Sequence, residues 1–83
     1  MLTEYLAAAM ELAQFEVIDD PEPYYGTVTG ITGVWATGKT LEECRYNLAA
    51  AFEDWVFFSV ARGHTLPVLK GLSINLPQRV GAL

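Results

Sequence analysis

One stretch of the chain could do chemistry at first sight. Gly33-Val34-Trp35-Ala36-Thr37-Gly38-Lys39-Thr40 satisfies G-x-x-x-x-G-K-[ST]. In a phosphate-binding loop that spacing would put Lys39 on the phosphates and Thr40 on magnesium. The flanking residues argue against it. A phosphate loop needs a buried strand ending at its first glycine, whereas Gly30-Ile31-Thr32-Gly33 reads as a turn. The residues that would have to wrap an anion, Val34, Trp35 and Ala36, are read as strand residues. No apolar run ending in Asp supplies a second magnesium ligand, and the chain is short for a fold built from several βα units.

Other candidate sites carry less. His64 stands alone past a helix end, where it suits the last carbonyls, with no nucleophile or metal-ligand pattern around it. Glu16, Asp19, Asp20 and Glu22 crowd into seven residues, but their spacing is not that of an EF-hand loop. They read as a solvated turn and, beyond that, as a docking patch for a basic partner. Ser59 and Ser73 have no adjacent base, so no nucleophile–base pair can be argued. Cys44 is the one cysteine and lies on an apolar stripe, where a thiol behaves as a small hydrophobe. No catalytic residue, metal site or cofactor is expected, and the chain is read as a non-enzyme.

The element that must position these residues is a long amphipathic helix bounded by Thr40 and Gly63. Thr40 and Glu43 fit a capping box at its start, and Gly63 can take the left-handed conformation that closes it. Leu41, Cys44, Leu48, Ala51, Phe52, Trp55 and Phe58 recur at the spacing of a core stripe. The helix would be roughly 33 Å long, more than one small sheet covers. Tyr46, Ala50, Phe57 and Ala61 form a second apolar track on the opposite face, interrupted by Glu43, Glu53 and Asp54. It is expected to be a subunit or partner contact, ahead of a surface over which a loop or the C-terminal tail folds at Phe57.

Before that helix, Thr3–Ala13 reads as a short helix with Thr3 as N-cap and an apolar side of Leu2, Leu6, Ala9, Met10 and Ala13. Gln14–Ile18 alternates through Phe15 and Val17 as a half-buried strand, and Asp19-Asp20-Pro21-Glu22-Pro23 turns the chain. Tyr24–Thr29 is a second strand with a bulge or close approach at Gly26, and Val34–Thr37 is a third. After the long helix, Thr65–Leu69 is a connector and Lys70-Gly71 a turn. Leu72–Leu76 alternates as an edge strand, and 77–83 is a loose tail. The expectation is one α+β domain over 1–83, ordered α-β-β-β-α-β: a three-stranded antiparallel meander plus an edge strand, packed by one long helix.

Composition sets further bounds. At 83 residues the core is small, and association would add to it. A formal net charge of −5, with five scattered basic residues, argues against direct nucleic-acid binding and favours a basic partner. Met1–Leu12 lacks the basic start of a signal peptide, and no apolar run is long enough to span a bilayer, so a cytoplasmic protein with no membrane role is expected.

Tyr24-Tyr25-Gly26, leading through Gly33–Thr40 into Leu41-Glu42-Glu43-Cys44, resembles the signature of HicB-like antitoxins. Asn47-Leu48-Ala49-Ala50-Ala51 and Asp54-Trp55 continue the likeness, which covers roughly residues 13 to 76. The resemblance implies a three-stranded antiparallel sheet with a helix across it and a further strand. It also implies that the protein masks HicA, a small basic RNA-cleaving toxin. Longer members carry a C-terminal DNA-binding domain that this sequence, ending at Leu83, does not contain, so operator binding lies outside the expectation. The leading expectation is a non-catalytic antitoxin-like module, a homo-oligomer (dimer or tetramer), meeting its toxin through Glu16, Asp19, Asp20 and Glu22. An orphan oligomeric regulatory or structural domain comes second, ahead of a metal-dependent nuclease or a nucleotide binder.

Overall fold

The computed structural model of the chain describes residues 2–71. Its elements run α1 (Leu2–Glu11), β1 (Ala13–Val17), β2 (Tyr24–Val28), β3 (Ile31–Gly38) and α2 (Leu41–Ala61). The strands form an antiparallel meander in the order β1-β2-β3. The α+β architecture is the one the sequence implies. The expected edge strand at Leu72–Leu76 and the tail 77–83 lie outside the described residues.

The sheet forms because short turns join runs of alternating polarity. Pro23 accepts a backbone bond from Ile18 at 2.7 Å, closing the acidic turn between β1 and β2. The β2–β3 connection differs from expectation. Val28 pairs with Ile31, so the turn is only Thr29-Gly30, with Gly30 at φ 88°. Ile31, expected in the turn, is the first residue of β3 and buried. Thr27 pairs with Trp35, which leaves Thr32, Gly33 and Val34 as an insertion on the β3 side. Gly33, at φ 89°, is therefore a bulge residue. A glycine-flanked turn and a glycine bulge look alike in sequence, because both need a residue free to adopt positive φ.

The inner face of the sheet carries Val28, Ile31, Val34 and Ala36 against α2. That helix lies mainly over β3 and β2. Val17, at the far corner of β1, is accordingly exposed, contrary to its reading as an inward position. Both ends of α2 close as the sequence requires. Thr40 Oγ1 accepts from the Glu43 amide at 3.0 Å, and Glu43 Oε1 accepts from the Lys39 amide at 2.6 Å. At the other end Gly63 N–H donates to the Val60 carbonyl and His64 N–H to the Ser59 carbonyl, the paired bonds of a Schellman motif.

The buried stripe of α2 is not quite the expected one. Cys44, Leu48 and Phe52 are fully buried, and Ala51 and Trp55 pack at its flank. Leu41 and Phe58 are exposed, and Val56 and Ser59 are buried instead. The cause is α1, which lies beside α2 and captures the flank bearing Val56. It does so with Tyr5, Ala8 and Ala9, and the Tyr5 and Phe52 rings are 5.7 Å apart. Helix α1 begins one residue earlier than expected, so Thr3 lies within its first turn rather than capping it. Its core side is Tyr5, Ala8 and Ala9, with Leu6 and Met10 partly covered, and Ala13 belongs to β1.

Residues 64–71 then fold back over this pair of helices. Tyr5 donates its hydroxyl to the Pro67 carbonyl, Leu69 is buried, and Lys70 forms an ion pair with Glu11. Helix α1 and this returning segment thus add to the cover that the sheet gives the long helix.

Candidate functional site

The G-x-x-x-x-G-K-T stretch has a purely architectural layout. Residues 33–38 belong to β3, paired with β2 from Tyr24↔Gly38 to Thr27↔Trp35, so no loop lies between Gly33 and Gly38 to wrap an anion. Gly38 is required by a close approach of backbones: a Cβ there would sit 2.4 Å from the Cys44 amide nitrogen and 2.7 Å from its Cα. Lys39 contributes its backbone N–H, and Thr40 its hydroxyl, to the cap of α2. Two further bonds pin β3 to the helix, from Asn47 Nδ2 to the Thr37 carbonyl at 2.9 Å and from Cys44 Sγ to the Ala36 carbonyl at 3.5 Å. Burial, and secondarily the charge of Glu22, pushes the Cys44 thiol above its ordinary range, which suits an inert core thiol.

The acidic candidates lie at one end of the sheet. Asp20 Oδ2 accepts from the Glu22 amide at 2.9 Å, the Asx-turn that the prolines and aspartates imply. Glu22 is half-buried, and its Oε1 accepts from Thr37 Oγ1 at 2.6 Å, which holds its carboxylate against β3. Glu16, Asp19 and Asp20 are exposed. No group of three or more His, Cys, Asp or Glu among the described residues is placed to hold a metal ion. His64 is exposed beyond the helix end, and Ser59 is buried within α2.

The apolar candidates lie on the opposite side of the molecule. Tyr46, at 75% exposure, and Phe57, at 78%, stand out from α2 with Ala50 and Ala61, also exposed, along the same track. On a neighbouring flank, Phe58 lies under the Arg62 guanidinium at 5.5 Å. An open depression of about 380 Å³ is lined there by Gly33, Ala51, Asp54, Trp55, Phe58 and Arg62. The structure thus separates the two sets named from sequence, acidic residues on the sheet and aromatic residues on the helix.

Sequence reasoning missed a third feature. Register places Glu16 opposite Tyr25 and Tyr25 opposite Thr37, and places Gln14 opposite Thr27 and Thr27 opposite Trp35, all on the outer face of the sheet. Tyr25 and Trp35 stack diagonally across that face, with ring centroids 6.2 Å apart and planes 29° apart. Trp35 remains 57% exposed. The alternation of β3 signals an outward Trp35, but its partner emerges only with the register that the bulge sets.

A three-stranded antiparallel meander backed by one long helix, with a short helix docked beside it, defines the class of this small α+β domain. The chain belongs to the UPF0150-like family, whose model matches residues 4–67. Among solved structures it is similar to TTHA0281 from Thermus thermophilus. The two are 54% identical, the match covers 92% of this chain and 94% of that one, and the TM-score is 0.87. No curated protein matches the chain. No helix among the described residues is long and apolar enough to cross a membrane.

Proposed function

We propose that the protein is a non-catalytic interaction module of the HicB antitoxin type, which binds and masks a small basic RNA-cleaving toxin in the cytoplasm. The observation that carries this reading is the distribution of charge. From Ala13 to Gly38 the chain contains Glu16, Asp19, Asp20 and Glu22 and no Lys or Arg, so the whole sheet half of the domain is anionic. Such a surface repels phosphate backbones and attracts a cationic protein, raising the encounter rate and fixing orientation. Affinity must then come from apolar anchors next to the charge. Membership of the UPF0150-like family and the likeness to HicB-like signatures support the same assignment.

The module also self-associates in this proposal, through Tyr46, Ala50, Phe57 and Ala61. Tyr46 and Phe57 stand exposed with Ala50 and Ala61 along one helix track, apolar area that association would cover. That face supports a second reading, an orphan oligomeric regulatory or structural domain without a toxin. The test is co-expression with any small basic protein encoded next to this chain. Co-purification and inhibition of its ribonuclease activity are expected. A partner that neither co-purifies nor loses activity leaves the orphan reading.

A further inference from the structure

The outer face of the sheet combines aromatic rings with carboxylates in an arrangement that the proposed function does not itself specify. Tyr25 sits in the middle strand. Its cross-strand neighbours are Glu16 on β1 and Thr37 on β3, and Thr37 holds the Glu22 carboxylate through a 2.6 Å hydrogen bond. In register, Tyr25 is thus flanked by Glu16 on one side and, on the other, by the Thr37 that holds Glu22, and Trp35 extends the aromatic surface diagonally. The Glu22 carboxylate has further acceptor sites beyond the one that Thr37 uses. No strand contains a Lys or Arg; of the four described cations, Lys70 pairs with Glu11, Arg62 lies over Phe58, Arg45 stands on α2, and Lys39 follows the end of β3 at the start of that helix.

Exposed aromatic rings on an antiparallel sheet are also how some domains stack nucleic-acid bases. Those platforms track the phosphates with Lys and Arg, and here the same positions are neutral or anionic. A planar cation meets both demands. A guanidinium lies flat on Trp or Tyr and donates paired hydrogen bonds to carboxylates, whereas an ammonium offers only a point charge.

We propose that this face, built from Tyr25 and Trp35 and flanked by Glu16 and Glu22, is the docking surface for an arginine-bearing segment of a basic protein. The inference rests on the interaction-module reading and names the surface and the side chain that it recognises. Tyr46 and Phe57, on the far side of α2, play no part in it.

The test uses the full chain and a 12-residue peptide of alternating Arg and Gly, with a Lys–Gly peptide of equal charge as comparator. Binding is followed by calorimetry and by the two indole N–H resonances, of Trp35 and Trp55. Saturable binding of the Arg peptide is expected to shift the Trp35 indole and the strand amides, and to leave Trp55 unmoved. Trp35→Ala should weaken it at least tenfold, and Glu16→Gln with Glu22→Gln should weaken it and flatten its salt dependence. The Lys peptide should bind several-fold more weakly. No saturable binding, equal binding of the two peptides, equal binding by Trp35→Ala, or shifts centred on α2 would each overturn the proposal. Failure of the interaction-module reading shows separately, as a neighbouring basic ribonuclease that ignores the protein while the peptide still binds the sheet.

Discussion

Replacing Gly38 by Ala tests whether the Gly-Lys-Thr segment serves the fold. The added methyl would lie 2.4 Å from the Cys44 amide nitrogen and 2.7 Å from its Cα, against about 3.4 Å for ordinary contact, so helix and strand must separate by about 1 Å. Both neighbours are backbone, and no rotamer change relieves them. Overpacking of this kind costs about 1–3 kcal/mol. The same movement would stretch the 2.9 Å bond from Asn47 Nδ2 to the Thr37 carbonyl beyond hydrogen-bonding range, adding about 1 kcal/mol. A total near 3 kcal/mol is a large share of the roughly 8 kcal/mol expected for a domain of this length. It corresponds to a fall in Tm of roughly 12–24 °C. Urea unfolding followed by circular dichroism would measure it, with Gly26→Ala as the control. There the methyl meets the Phe15 ring at 2.8 Å, and a side chain can give way, so about 1 kcal/mol is expected. A Gly38→Ala protein within about 0.5 kcal/mol of the parent would refute the close-approach argument.

Lys39 enters the cap through its backbone alone, so Lys39→Ala should leave stability within about 0.5 kcal/mol of the parent. Thr40→Ala removes the hydroxyl that accepts from Glu43 and should cost about 1 kcal/mol; equal effects of the two in denaturant titrations would contradict the assignment. Burial raises Tyr5 above its ordinary 10.0, and burial, with Glu22 second, raises Cys44 above its ordinary 9.0. The unfolded chain ionises first at both, so the contribution of these two groups is level below about pH 9 and declines as pH rises from each group's ordinary value to its folded one. Tyr5→Phe should flatten that alkaline decline, and an unchanged slope between about pH 9 and 11 would count against it. Light scattering should give at least twice the 9.1 kDa chain mass, lowered by Phe57→Glu without loss of helix; a monomeric parent at high micromolar concentration would remove the interface.

The parts of this fold legible in sequence are those with local causes. Thr40, Glu43 and Gly63 mark the ends of α2 because caps are made within a single turn of chain. Asp20 and the prolines mark the β1–β2 turn for the same reason. What escaped depended on contacts between distant residues. Val56 and Ser59 replace Phe58 in the core because α1 docks on their side of α2, which periodicity within α2 cannot reveal. Gly33 reads as a turn residue until pairing shows that Val28 meets Ile31 and that the glycine is a bulge. The candidate site divides in the same way. Exposed Tyr46 and Phe57 follow from helical spacing alone, whereas the Tyr25–Trp35 stack and its flanking carboxylates appear only when three strands are set in register.

The proposal that this domain acts by covering another protein is tested most directly by titrating it into a HicA-type basic ribonuclease, taken from any such reading frame next to its own, and following RNA cleavage. A loss of cleavage that is complete near one binding equivalent, and that weakens as salt is raised, is the predicted result. Cleavage that persists at a large molar excess of this protein would contradict it.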